Sequence, residues 1–174
     1  MSDIFNKVVS QQDAIRKLLG KIPGFSGYFE RENRRSSDKV LRDMVAKQFE
    51  EVWSRISGLQ RDLISQGAIY AIDDLEAAAV KIRQVIDRVQ KASYGYSGFF
   101  DAVKINEKEL ELLYNYDLAM LDNVDAVSKA VDNVETSIGS DGLPAAIRNL
   151  TTVAEQCVSM FNKRAEVITA SIPQ

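Results

Sequence analysis

Histidine is missing from all 174 residues of the chain. That absence removes Ser-His-Asp triads and Cys-His dyads. It also removes the Glu-x-x-His ligands of di-iron bundles and the common zinc ligand sets, which one cysteine cannot replace. The single cysteine, Cys157, excludes an intramolecular disulfide framework. No Walker A sequence and no Gly-x-Gly-x-x-Gly occurs. Gly24-Phe25-Ser26-Gly27 lacks the spacing of a nucleophile elbow. The residues therefore point to a non-enzymatic protein with no catalytic residues, no metal ligands and no cofactor.

Breakers are also scarce, with 9 Gly and 3 Pro in the chain. So few turn signals favour long helices over a strand-rich sandwich. No stretch approaches the roughly 18 consecutive apolar residues of a membrane span. Met1 to Gly20 is charged throughout and has no apolar leader core, which reads as cytoplasmic. The Asn149-Leu150-Thr151 sequon falls within a helical pattern and carries no weight in that setting.

What is present is helical periodicity. The apolar fraction of 45% and charged fraction of 27% suit one globular domain over 1–174. Apolar residues recur at alternating steps of three and four. Over 37–66 the seam is Leu41, Val45, Phe49, Val52, Ile56, Leu59 and Leu63. Over 71–92 it is Ile72, Leu75, Ala79, Ile82, Ile86 and Val89. Here Asp73, Asp74 and Glu76 open the segment and Arg88 and Lys91 close it, which complements the helix dipole. Over 106–138 the seam runs through Leu110, Leu113, Asp117, Met120, Val124, Val127, Val131, Val134 and Ile138. Gly139-Ser140-Asp141-Gly142 supplies a stop and a start, and Pro144 suits the first turn of the next helix. That helix, 143–170, carries Ile147, Leu150, Ala154, Cys157, Phe161, Ala165 and Ile168. A shorter, less regular helix over 3–19 ends at Lys21-Ile22-Pro23-Gly24. The fold class is all-α: an elongated antiparallel bundle with coiled-coil-like seams, four long helices and a shorter N-terminal one. Cys157 sits on a seam and reads as an inert core thiol.

Two of the breaks echo each other. Gly24-Phe25-Ser26-Gly27-Tyr28-Phe29-Glu30 and Gly95-Tyr96-Ser97-Gly98-Phe99-Phe100-Asp101 match or are conservatively replaced at every position. The echo has two readings: an internal helix–loop–helix duplication with a fifth helix appended, or chance similarity of a short motif. A duplication could place the loops about a pseudo-twofold axis. Seven of the 14 aromatic residues lie here, namely Phe25, Tyr28, Phe29, Tyr94, Tyr96, Phe99 and Phe100. The structural reading is that they cap the core. The functional one is an aromatic recognition surface.

Charge adds two observations. Residues 1–35 hold seven Lys/Arg against four Asp/Glu, so this segment is +3 and the remainder −6 within a net −3. An acidic chain is a poor nucleic-acid binder, and the modest basic segment gives only weak support for a membrane surface. Asp117 alone breaks its seam and needs a cation or an exit to solvent. The sequence offers Arg31, Arg34, Arg35 and Lys104 as partners. These form either a salt-bridge latch or, with the aromatic residues, an anion-binding surface. Asp122, Asp125 and Asp132 fall off the seam and read as a solvated face.

Three functions follow in order. The first is an interaction module, an adaptor or self-assembling scaffold working through a protein partner or a second copy. The second is a ligand-binding or sensory bundle with a pocket near the aromatic loops. The third is a peripheral membrane protein anchored by its first helix.

Overall fold

The computed structural model describes residues 16–17, 20–21, 34–91 and 107–170, with side chains described within 41–91 and 115–166 of the two longer stretches. Four long helices account for most of them: α1 (Arg34–Ser65), α2 (Ile72–Lys91), α3 (Glu107–Ser137) and α4 (Leu143–Ala170). A single 3-10 turn, Ile69–Ala71, precedes α2. Arg16, Lys17, Gly20 and Lys21 are helical as well. No strand occurs among the described residues.

α4 has the expected bounds, and those of the other three helices differ from the sequence expectation by one to three residues. α1 starts at Arg34 instead of 37, so Arg34 and Arg35 belong to its first turn and not to a preceding loop. Arginine is a good helix former and costs little there. α2 starts at Ile72 because Ile69–Ala71 is wound more tightly, with Ala71 N–H donating to the Ala68 carbonyl.

The seams are what the helices bury. On α1, Leu41, Val45, Phe49, Val52, Ile56, Leu59 and Leu63 are all buried. They meet Leu75, Ala79, Ile82, Ile86 and Val89 of α2, with Ala78 and Val85 widening the stripe. Met120, Val124, Val127, Val131 and Val134 of α3 and Leu143, Ile147, Leu150, Ala154, Cys157 and Phe161 of α4 join the same core. Each fully buried Leu or Ile contributes about 1.5–3 kcal/mol of transfer free energy, before chain entropy is set against it.

Cross-helix pairs fix the topology. Gln60 donates to Glu76 and Gln90 to Glu50, so α1 and α2 run antiparallel. Arg55 of α1 reaches Ser128, Asp132 and Glu135 of α3, and Arg88 of α2 reaches Asn162 of α4. Lys81 and Glu155 repeat the second register at 3.8 Å. α1 therefore lies parallel to α3, and α2 parallel to α4. Each helix packs on two others, with α1 and α4 on one diagonal and α2 and α3 on the other. Two helical hairpins stand side by side with both turns at one end, here called the tip.

The turns end their helices differently. After α1, Ala68 N–H donates to the Leu63 carbonyl and Gly67 N–H to that of Ile64, closing a Schellman motif on Gly67 at φ 75°. α3 ends in tighter bonds, Ile138 to Glu135 and Ser140 to Ser137, with Gly139 at φ 81°. Nothing lies within 4 Å of a Cβ built on Gly67, so its replacement is opposed by backbone strain alone. Gly67→Ala is expected to lower unfolding free energy by about 1–2 kcal/mol. Gly58, in mid-helix, would meet only the Arg61 side chain at 3.9 Å. Gly58→Ala should therefore raise stability by about 0.5–1 kcal/mol. Urea denaturation of the two variants should give shifts of opposite sign.

Candidate functional site

The sequence singles out the Gly-aromatic segments and the arginine run. Phe25, Tyr28, Phe29, Arg31, Tyr94, Tyr96, Phe99 and Phe100 lie outside the described residues. Arg34 and Arg35 form the start of α1, and their side chains lie outside the description. Asp117 is described in full. Of the helix ends nearest these segments in the chain, Arg34 and Glu107 stand at the end of the bundle opposite the tip, and Lys91 lies near the middle of α1, where Gln90 meets Glu50.

Asp117 is at that end, buried, and its partner is one the sequence reading did not name. Its Oδ1 accepts a hydrogen bond from Arg164 Nε at 2.7 Å, with the two side chains only 3% and 1% exposed. Arg164 belongs to α4; of the expected partners, Arg31, Lys104 and the side chains of Arg34 and Arg35 lie outside the described residues. Register accounts for the observed pair. Asp117 stands 20 residues before Ser137 and Arg164 stands 21 after Leu143, so the hairpin brings them level. Reading Ala165 as the seam residue hid this. The steps of three and four through Ala154, Cys157 and Phe161 arrive at Arg164.

Arg42 of α1 is the other buried charge among the described residues. The parallel register of α1 and α3 puts it near the level of Asp117. Three of the four helices thus contribute a buried charged group among the described residues: Arg42, Asp117 and Arg164. Burying charge in this way is costly unless it is paired and hydrogen-bonded, and such layers specify register more than they add stability.

The outer face of α3 is acidic and exposed, as its spacing implies. Lys21 Nζ spans two of its carboxylates, Asp122 Oδ1 at 2.7 Å and Asp125 Oδ2 at 3.0 Å. Those hydrogen bonds hold the ammonium above its ordinary pKa of 10.5. A raised lysine value means the clasp is fully present below the unfolded value and is lost as pH rises through the folded one. It is an exposed pair, so it contributes little and weakens with salt.

The tip carries a feature that sequence reasoning missed. Ile64, in the last turn of α1, is 56% exposed, and Ile69 and Tyr70, in the 3-10 turn that follows, are 64% and 69% exposed. Beside them lies an open depression of about 250 Å³, lined by Gln66, Gly67, Ala68, Tyr70, Gly139, Ser140 and Asp141. It joins the two turns, and Gly67 and Gly139 leave the backbone accessible there. The signal was present in the chain: Ile64 follows the buried Leu63 and so falls off the seam, and Ile69 and Tyr70 belong to no helical stripe.

The remaining reactive group is Cys157. It is buried, and burial pushes its thiol pKa up to about 12 while the Sγ–H donates to the Val153 carbonyl at 3.2 Å. A neutral thiol with no access is a poor nucleophile. Iodoacetamide at pH 8 should leave the native protein unmodified and alkylate it once urea unfolds the chain. Labelling of the native protein at the unfolded rate would contradict the described packing.

Among the described residues, no group of three or more Cys, Asp and Glu side chains is placed to hold a metal ion. No described helix is long and apolar enough to cross a membrane. No protein-family model, curated protein or solved structure matches this chain.

Proposed function

We propose that this chain is a non-enzymatic interaction module, an adaptor or self-assembling scaffold built on an elongated helical bundle. The observation that carries the reading is the exposure of Ile64, Ile69 and Tyr70 together at the tip. Single exposed apolar residues are ordinary on a protein surface. Three where α1 ends and α2 begins, with an accessible depression lined by Tyr70, form an anchor site of the kind that binds partners. The helices support the same reading. α1, of 32 residues, is about 48 Å long, which makes a rod with two distinct ends. One end offers the tip. The other holds the buried charge layer and the flanks of the Gly-aromatic segments, a second surface of the same module.

The hairpin pairing also supports an internal duplication, though of a different unit from the one the loop echo suggests. Gly67 and Gly139 are 72 residues apart and hold matching positive φ angles. At a shift of 71, Phe49, Ile56, Leu59 and Leu63 fall on Met120, Val127, Ala130 and Val134, all buried. At 72, Leu75, Ile82, Val85 and Val89 fall on Ile147, Ala154, Cys157 and Phe161, again all buried. The repeated unit is then a loop plus a hairpin, and the helical residues Arg16, Lys17, Gly20 and Lys21 precede both copies. A two-fold axis is excluded as the operator for the hairpins. It would place each helix diagonal or antiparallel to its counterpart, whereas α1 lies beside a parallel α3 and α2 beside a parallel α4.

Capture experiments and sedimentation with the intact chain and an Ile69→Ser/Tyr70→Ser variant test the functional reading. The expected outcome is a self-associated or partner-bound protein whose association drops in the variant while its helicity and melting stay unchanged. A chain that stays monomeric at high concentration and retains nothing that the variant loses would sink the reading. The ligand-binding and membrane-surface readings draw on residues 1–33 and 92–106, and no described feature favours either.

A further inference from the structure

We propose that the tip docks a cationic polypeptide segment that carries an apolar anchor. This rests on the reading of the bundle as an interaction module and names its partner's chemistry. Five exposed carboxylates surround the turns, those of Asp62, Asp73, Asp74, Glu76 and Asp141, against two guanidiniums, Arg61 and Arg148. None of the five is ion-paired among the described residues.

Helix electrostatics account for only some of these acids. Asp73 and Asp74 sit in the first turn of α2, where a negative charge complements the dipole. Asp62 sits in the last turn of α1, where the dipole disfavours it and where no basic residue occurs. Asp141 lines the same depression as Tyr70. An acidic rim around exposed isoleucine and tyrosine repels nucleic acid and anionic membrane, and attracts lysine and arginine.

The depression is too small and open for a drug-sized ligand and suits one projecting side chain. Gln66, Ser140 and the Tyr70 hydroxyl stand around it as hydrogen-bonding groups. The bound segment lays its apolar anchor against Ile69 and Tyr70 and its cations toward Asp62 and Asp141. Apolar contact supplies the affinity, and the rim charges set the sign of the partner and the on-rate.

The test titrates the full-length protein with a synthetic amphipathic lysine-leucine peptide and with its glutamate-leucine counterpart, following amide chemical shifts. The lysine peptide should shift residues of 62–76 and 138–142, bind at least about tenfold more tightly than the glutamate peptide, and weaken as salt rises. Ile69→Ser/Tyr70→Ser and, separately, Asp62→Asn/Asp141→Asn should each weaken it by roughly tenfold without moving the melting temperature. Equal binding of the two peptides, still lost in the Ile69/Tyr70 variant, would overturn the cationic partner and leave the interaction module standing. Self-association through the tip in place of peptide binding would likewise overturn the cationic partner alone. Shifts that map away from the tip, unaffected by either variant, would overturn both.

Discussion

Asp117→Ala is expected to lower the unfolding free energy by about 3–5 kcal/mol. Asp117 and Arg164 are both buried, and the Nε–Oδ1 hydrogen bond at 2.7 Å is charge-assisted. Removing the carboxylate leaves Arg164 in a low-dielectric layer that also contains Arg42. The loss is mainly the desolvation cost of a buried cation that has lost a charge-assisted hydrogen bond. For a domain of this size it corresponds to a fall in melting temperature of roughly 6–20 °C. Asp117→Asn should be milder, since the amide oxygen still accepts from Nε. Asp117→Leu/Arg164→Met should recover most of the stability, because a well-packed apolar pair removes both desolvation costs. Calorimetry on the four proteins checks the order. A double variant as unstable as Asp117→Ala would mean that the layer holds the helices by packing alone.

Phe49→Ala is expected to cost about 3–5 kcal/mol. Phe49 is among the largest fully buried side chains and lies near the middle of α1. Phe49 belongs to the core that α1 shares with α2 and α3, so a cavity there closes only if those helices move. Val80→Ala is the matched control. Val80 is exposed on α2, and its truncation should change stability by no more than about 0.5 kcal/mol. Urea midpoints measure both, and the m-value should stay constant if unfolding remains two-state.

The helical architecture was legible because burial in a bundle is written directly into the step of three and four. Every described residue assigned to the α1 seam is buried, as are Leu75, Ile82 and Val89 on α2 and Val127 and Val134 on α3. The start of α1 was hidden because Arg34-Arg35-Ser36-Ser37 contains no apolar residue to carry a period. Arg164 was hidden for a related reason. A search for apolar residues skips a charged one on the seam, and the neighbouring Ala165 looked like the continuation. Placing Asp117 and Arg164 equidistant from the turn would have paired them. Arg42 could not be read this way, since it flanks the seam beside Leu41.

Function was less legible, for a physical reason. A binding surface in a bundle consists of apolar residues that fail to join the core, and periodicity reports them only as noise between seams. Ile64, Ile69 and Tyr70 were such noise until the turn placed them together. The aromatic segments drew more attention because glycine and aromatic residues stand out in composition.

Amide hydrogen exchange across the bundle, measured on the free chain and on its self-associated or partner-bound form, tests the central claim most directly. Turns protect their amides weakly, so the Ile64–Ala71 segment should exchange fast in the free protein. On association this segment and 138–142 should slow markedly, with α1 and α3 unchanged at the opposite end. Protection confined to the Arg34 and Glu107 ends, with the tip still exchanging freely, would contradict the account and move the working surface to the other end of the bundle.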